Sequence, residues 1–232
     1  MDWKSYWNQF PNQFAKEEFL KQVGKTVQGQ PISEAQVSML ISDFVQKLEL
    51  EPNDFVLDLC CGNGLITSII ANKCDVILGV DFSAPLIEIA QEYHQCVNTS
   101  YFNLSVLDIT TENLHISKLF TKIYMYEALQ YFREDQFQQM IERLLAISSE
   151  KPTMLFTSVP DESKLWDFYN TPERRRDYEM RKSNGTEAIG TWWKKSSIQQ
   201  VCSQFGLQCK FLPQPDFLHT AHYRFDVRII KQ

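Results

Sequence analysis

Apolar positions along the chain fall into two kinds of run that alternate. Short unbroken stretches read as buried strands: 54–59, 75–81, 100–107, 120–126 and 153–159. Between them lie longer segments with apolar residues three and four apart, the spacing of helices that lay one face on a sheet. The clearest is 34–48, where Val37, Leu40, Ile41, Phe44, Val45 and Leu48 make one stripe. It follows Ser33 with Gln36 three residues on, a capping box. Further helices are predicted over 65–73, from Ser83 (a capping residue, with Pro85 in the first turn) to about His94, and over 134–148 and 196–205. The end of the chain carries two strands, 206–212 and 221–230, joined by too short a loop for a crossover helix, so these two run antiparallel.

Two regions break this rhythm. Residues 2–23 hold Trp3, Tyr6, Trp7, Phe10, Phe14 and Phe19 near helical spacing, interrupted by Pro11, so two short helices are expected. They either pack outside the sheet or fold as a lid over its ligand edge. Residues 161–194 combine Trp166, Phe168, Tyr169, Tyr178, Trp192 and Trp193 with Arg174, Arg175 and Arg176, and read as an insertion over one edge. The expected organisation is a single domain: a helical lid (1–33), a core (34–160), an insertion (161–195) and a last helix with terminal hairpin (196–232). The fold class is α/β, a three-layer sandwich on a mostly parallel seven-stranded sheet whose last strand is antiparallel.

Composition narrows the partners. A chain of 232 residues, 44% hydrophobic and 13% aromatic, buries a substantial core. The formal net charge of -6 argues against a polyanion-binding surface, so no nucleic-acid partner is expected. No apolar run reaches membrane-spanning length, and six cysteines without paired or metal-ligand spacing read as reduced thiols. A soluble, cytoplasmic protein without a metal is the expectation.

The chemistry gathers at Asp58-Leu59-Cys60-Cys61-Gly62-Asn63-Gly64, a strand ending in an acid, a glycine turn and a helix start. Gly62 and Gly64 permit positive φ and close approach of backbone to a ligand. A turn that merely connects strand to helix is the alternative. This motif resembles that of the class I (Rossmann-like) S-adenosyl-L-methionine-dependent methyltransferases, and the resemblance runs from about Glu34 to Ile230. Cys60 departs from it, standing where the family commonly has its first glycine. The implied cofactor is S-adenosyl-L-methionine. Asp58 would sit near its ammonium and Asp81, ending the second strand, would accept from the ribose hydroxyls. Asp108 would accept from the adenine amino group, with Phe82 and Ile109 on the ring faces. Thr67 stands where a dinucleotide fingerprint needs its third glycine, which disfavours an NAD(P) oxidoreductase; a binding domain without catalysis is the other alternative.

For the methyl acceptor, a small molecule is expected, with a hydroxyl of a sugar or natural-product intermediate as the first choice and a protein acceptor as the alternative. Tyr126, Glu127 and Tyr131 follow the fourth strand at the ligand edge, where Glu127 or Tyr131 orients acceptor or cofactor, or Tyr131 simply packs under the next helix. The reversed last strand brings His219 and His222 to the same edge, as a general base or as solvated loop residues. The insertion is expected to roof the acceptor pocket, its arginines either holding an anion or forming a solvated charged face.

Overall fold

The computed structural model describes residues 1–231; Gln232, the last residue of the predicted terminal segment, lies outside them. Helix α1 (Trp3–Gln9), a 3-10 turn begun by Phe10 and Pro11, and α2 (Phe19–Gln22) form an N-terminal arm. Strands β1 (Thr26–Val27) and β2 (Gln30–Pro31) then pair antiparallel, a small hairpin where the sequence predicts only a turn. Helix α3 (Glu34–Leu48) begins at the predicted box: Ser33 Oγ accepts from Gln36 N at 3.2 Å, and Gln36 Oε1 accepts from Ser33 N at 2.9 Å.

The core continues through β3 (Phe55–Leu59), α4 (Leu65–Ile70), β4 (Val76–Asp81), α5 (Ala84–Tyr93), β5 (Thr99–Asn103), β6 (Phe120–Tyr126), α6 (Glu134–Ala146) and β7 (Ser148–Pro160). The insertion carries α7 (Leu165–Phe168) and α8 (Pro172–Ser183), and the chain closes with α9 (Lys195–Gln204), β8 (Leu207–Pro213) and β9 (Arg224–Lys231). The sheet order is β5-β4-β3-β6-β7-β9-β8. All neighbours from β5 to β7 are parallel, and β9 runs against both β7 and β8. The direction of winding reverses between β3 and β6, which opens a crevice at their carboxyl ends.

Alternation along the strands builds the three layers. Phe55, Leu57 and Leu59 of β3 join Ile123 and Met125 in a core completed by Phe137, Ile141 and Leu144 of α6. Val56, Tyr124 and Leu155 face the other way, toward Leu40, Ile41, Phe44 and Leu48 of α3. No described helix is long and apolar enough to cross a membrane.

Two local readings are corrected. The third strand does not run to Asp108: it stops at Asn103, and Asp108 ends a 3-10 turn begun by Val106. The chain bends there because Leu104 N donates to Asp81 O and the Ser105 hydroxyl accepts from Leu107 N. Ser83 occupies the N-cap position of α5 without capping it; its hydroxyl donates to Trp7 O at 2.8 Å, tying the arm to the sheet edge.

Candidate active site

Residues at the ends of β3, β4 and β6 line a cavity of about 560 Å³ together with the N-terminal arm, a size suited to a small ligand. Its floor is the glycine turn. Cys60 adopts φ +57°, Gly62 +56° and Gly64 +77°. The left-handed Cys60 backbone explains why a glycine suits that place, since a side chain there carries strain. The two glycines are needed for different reasons. A Cβ on Gly62 would stand 2.9 Å from Val23 Cγ1 of the arm, at the cavity wall. A Cβ on Gly64 would meet Tyr101 Oη at 2.8 Å and Ala90 Cβ at 2.9 Å, beneath the turn. Gly64 is thus a packing residue, and it does not line the cavity.

Each acid has its own setting. Asp58, 2% exposed, accepts at Oδ2 from both Thr67 Oγ1 at 2.6 Å and Tyr124 Oη at 2.7 Å. Oδ1 has no partner among the described residues. Burial pushes the Asp58 carboxyl up to about 7 against the pull of those two hydroxyls, and the Asp81 charge adds to the rise. Asp81 accepts from Ser83 N at 2.8 Å through Oδ1 and from Gly62 N at 3.0 Å through Oδ2, and burial raises it to about 6. Asp108 also lines the cavity, at its exposed mouth. Asp58 and Asp81 have no cationic side chain among their hydrogen-bond partners, and buried carboxylates so placed favour a ligand bearing positive charge and hydroxyl donors.

Of the other predicted residues, Cys60, Cys61, Phe82, Tyr126, Glu127 and Tyr131 line the cavity. Burial raises both cysteine thiols well above their ordinary range, with Asp58 and Asp81 contributing, so they are inert small walls rather than nucleophiles. Ile109 does not line it: at 1% exposed it belongs to the core beside Leu114 and Val106, while Leu107 takes the wall position. The 3-10 turn causes this exchange by rotating the residues after β5.

His219 and His222 are exposed and neither lines the cavity. The ring of His222 sits near those of Tyr223 and Phe168, 4.9 and 6.2 Å between centres. Burial, then the nearby Arg224 and Lys25 charges, lower the His219 imidazole. Arg224, just beyond them, is the residue of this segment that reaches the cavity wall.

The roof comes mainly from the arm, and the insertion adds Ala188 and Ile189 to the cavity wall. Trp3, Tyr6, Trp7 and Phe10 line the cavity, and the Tyr131 ring meets Trp3 and Trp7 at 4.6 and 5.7 Å between centres. The turn itself anchors the arm, for Asn63 Nδ2 donates to Phe19 O and to Gln22 Oε1, each at 2.8 Å. The insertion forms a cluster of its own around Leu165, Tyr169 and Tyr178, with Trp192 packed against it. Trp193 is core: its Nε1 donates to Leu129 O at 3.2 Å. Arg174, Arg175 and Arg176 are exposed and absent from the cavity wall, so the solvated charged face is the reading that holds.

Sequence reasoning missed several residues. Thr67, considered only as a failed glycine, and Tyr124 orient Asp58. His94, read from sequence only as the end of a helix, contacts Asn63 O through Nδ1 at 2.7 Å and braces the glycine turn. Lys25 and Arg224 complete the charged end of the cavity. A cation close after the arm and another opening the last strand were the available signals.

Residues 56–150 match a family described as a methyltransferase domain. The fold aligns with magnesium protoporphyrin IX methyltransferase from Synechocystis PCC 6803 with bound S-adenosylhomocysteine, at a TM-score of 0.65 and 13% identity over 99% of this chain and 97% of that one. It aligns likewise with the N-methyltransferase NodS from Bradyrhizobium japonicum WM9 in complex with S-adenosylhomocysteine, at 0.65 and 14% over 97% and 98%. An uncharacterized methyltransferase of Schizosaccharomyces pombe is 36% identical over 56 residues, covering 24% of this chain and 22% of that protein. The matched segment therefore spans about a fifth of that relative's length.

Proposed function

We propose that this chain, which carries a methyltransferase domain on the class I Rossmann-like fold, is an S-adenosylmethionine-dependent methyltransferase acting on a small molecule. The observation that carries the reading is the meeting of Asp58, Asp81 and the glycine turn at one cavity. Asp58 keeps Oδ1 unpaired in a buried setting, and it needs a cation to hold its charge there. That fits the ammonium of the cofactor's amino-acid end. Asp81 would accept from the ribose hydroxyls and Asp108 from the adenine amino group, with Phe82 and Leu107 beside the ring. The solved structures this fold resembles contain the homocysteine form of the same cofactor, which supports the choice.

The cofactor, when bound, supplies a methyl group already activated on a sulfonium. The protein's part is then to align an acceptor and exclude water. Tyr126, Tyr131, Trp3 and Trp7 wall the space for an acceptor with aromatic surface, and the arm over the mouth limits solvent entry. With both histidines away from the wall, Glu127 and Tyr131 remain as the groups beside the acceptor. Burial pushes the Tyr131 hydroxyl up to about 12, so it donates a hydrogen bond rather than taking a proton. We read 1–33 as the lid of a single domain and place the protein in the cytoplasm, supported by six cysteines that are all unpaired.

The test is transfer of label. Incubated with methyl-tritiated S-adenosylmethionine and a small-molecule extract, the protein is expected to move tritium into the extract and release S-adenosylhomocysteine in equal amount. Cofactor binding without transfer to any extract would reduce the protein to a binding domain.

A further inference from the structure

The cavity also holds a group of charges that the cofactor reading leaves unassigned. Lys25 Nζ hydrogen-bonds Glu127 Oε2 and stands 3.7 Å from the centre of the Tyr126 ring. Arg224 Nη1 lies 3.6 Å from Glu127 Oε1 and donates to Ser158 O at 2.7 Å. The side chains of Lys25 and Arg224 are only 12% and 7% exposed. Two largely buried basic side chains thus share one half-buried carboxylate. Burial and the Arg224 charge push the Lys25 ammonium well below its ordinary range.

Arg224 is incompletely used. Its Nε is buried without a hydrogen-bond partner, and Nη2 has none among the described residues. The Nε and Nη2 edge of a guanidinium is a planar fork of two parallel N–H groups, the shape that a carboxylate accepts with both oxygens. Two further polar atoms of cavity-lining residues are buried and unpaired, Trp7 Nε1 and Gln130 Oε1. The aromatic wall of Trp3, Trp7 and Tyr131 supplies apolar surface for the body of the same molecule.

We propose that Arg224 binds a carboxylate of the methyl acceptor, so that the acceptor is a flat, largely apolar molecule carrying one carboxylate. This rests on the methyltransferase reading and deepens it. Glu127 faces the guanidinium from its Nη1 side, so its negative charge opposes a second carboxylate at the Nε and Nη2 edge. Arg224 is in this account a specificity residue; the cofactor's own carboxylate is the rival claimant to the fork.

Calorimetry on the full chain saturated with S-adenosylhomocysteine separates the two, using 1-naphthoate and its neutral amide as probes. The wild type is expected to take naphthoate about tenfold more tightly than naphthamide. Arg224→Gln should take both alike while its affinity for S-adenosylhomocysteine stays unchanged. Glu127→Gln should bind naphthoate several-fold more tightly, a gain that a misfolded variant cannot mimic. No preference for naphthoate in the wild type overturns the proposal. So does an Arg224→Gln variant that loses S-adenosylhomocysteine affinity but keeps the naphthoate preference, for that result gives the fork to the cofactor. A wild type that takes no S-adenosylhomocysteine fails earlier, at the methyltransferase reading itself.

Discussion

Asp58 and Asp81 are the residues whose titration exposes the site. Folding raises both above the ordinary value of 3.8, to about 7 and about 6. Between those values and 3.8 the folded chain holds more protons than the unfolded one, so the ligand-free protein loses stability as pH rises through this window. Asp58→Asn keeps an oxygen for Thr67 and Tyr124 yet removes the buried charge. Urea denaturation should find it about 2 kcal/mol more stable than the wild type at pH 8, with the gap shrinking at pH 5, and cofactor binding lost. An equal effect at both pH values would mean that Asp58 is not titrating in this range. The histidines carry the opposite expectation: since neither lines the cavity, a His219→Ala and His222→Ala double variant should keep the pH profile of turnover. At this scale the sequence was legible wherever a residue's position follows from its place at or near a strand end, as with Asp58 and Asp81 at the cavity wall. It was not legible where the role depends on the path of the backbone. Ile109 was misplaced because a 3-10 turn intervenes, and Thr67 was passed over because its hydroxyl acts back across the glycine loop on an acid nine positions earlier.

The elements show why the pattern was readable. Helix α3 is bounded by a capping box and a single apolar stripe, both local signals, and it starts and ends at the predicted residues. Ser33→Ala should cost about 1 kcal/mol in urea denaturation and leave cofactor affinity unchanged. The turn between β3 and α4 is less forgiving. Gly64 combines a left-handed backbone with contact against Tyr101 and Ala90, so Gly64→Ala should destabilise by about 2–4 kcal/mol. A near-neutral Gly64→Ala, in the same measurement, would show that Tyr101 yields easily. From sequence the aromatics of the insertion are expected to roof the pocket. Only tertiary contacts decide, and they send Trp193 into the core and Trp192 against Tyr169 and Tyr223.

At the scale of the molecule, the sheet reverses its winding between β3 and β6 and the N-terminal arm folds back over the crevice so formed. Sequence left lid and plain packing as equal readings of the arm, because its aromatics are spaced for either. The hydrogen bonds from Asn63 to Phe19 O and Gln22 favour the lid, since they tie the arm to the turn that floors the cavity. Removing residues 1–24 should therefore leave a cooperatively folding core that releases S-adenosylhomocysteine faster, with affinity lower by about tenfold. The account as a whole stands on one binding event. Titration of S-adenosylhomocysteine in a calorimeter should show a single site with a dissociation constant of tens of micromolar or tighter, roughly −6 kcal/mol or better, and Asp81→Ala should weaken it by about 1–3 kcal/mol. No heat from the wild type at those concentrations, or an Asp81→Ala variant that binds as tightly, would contradict it.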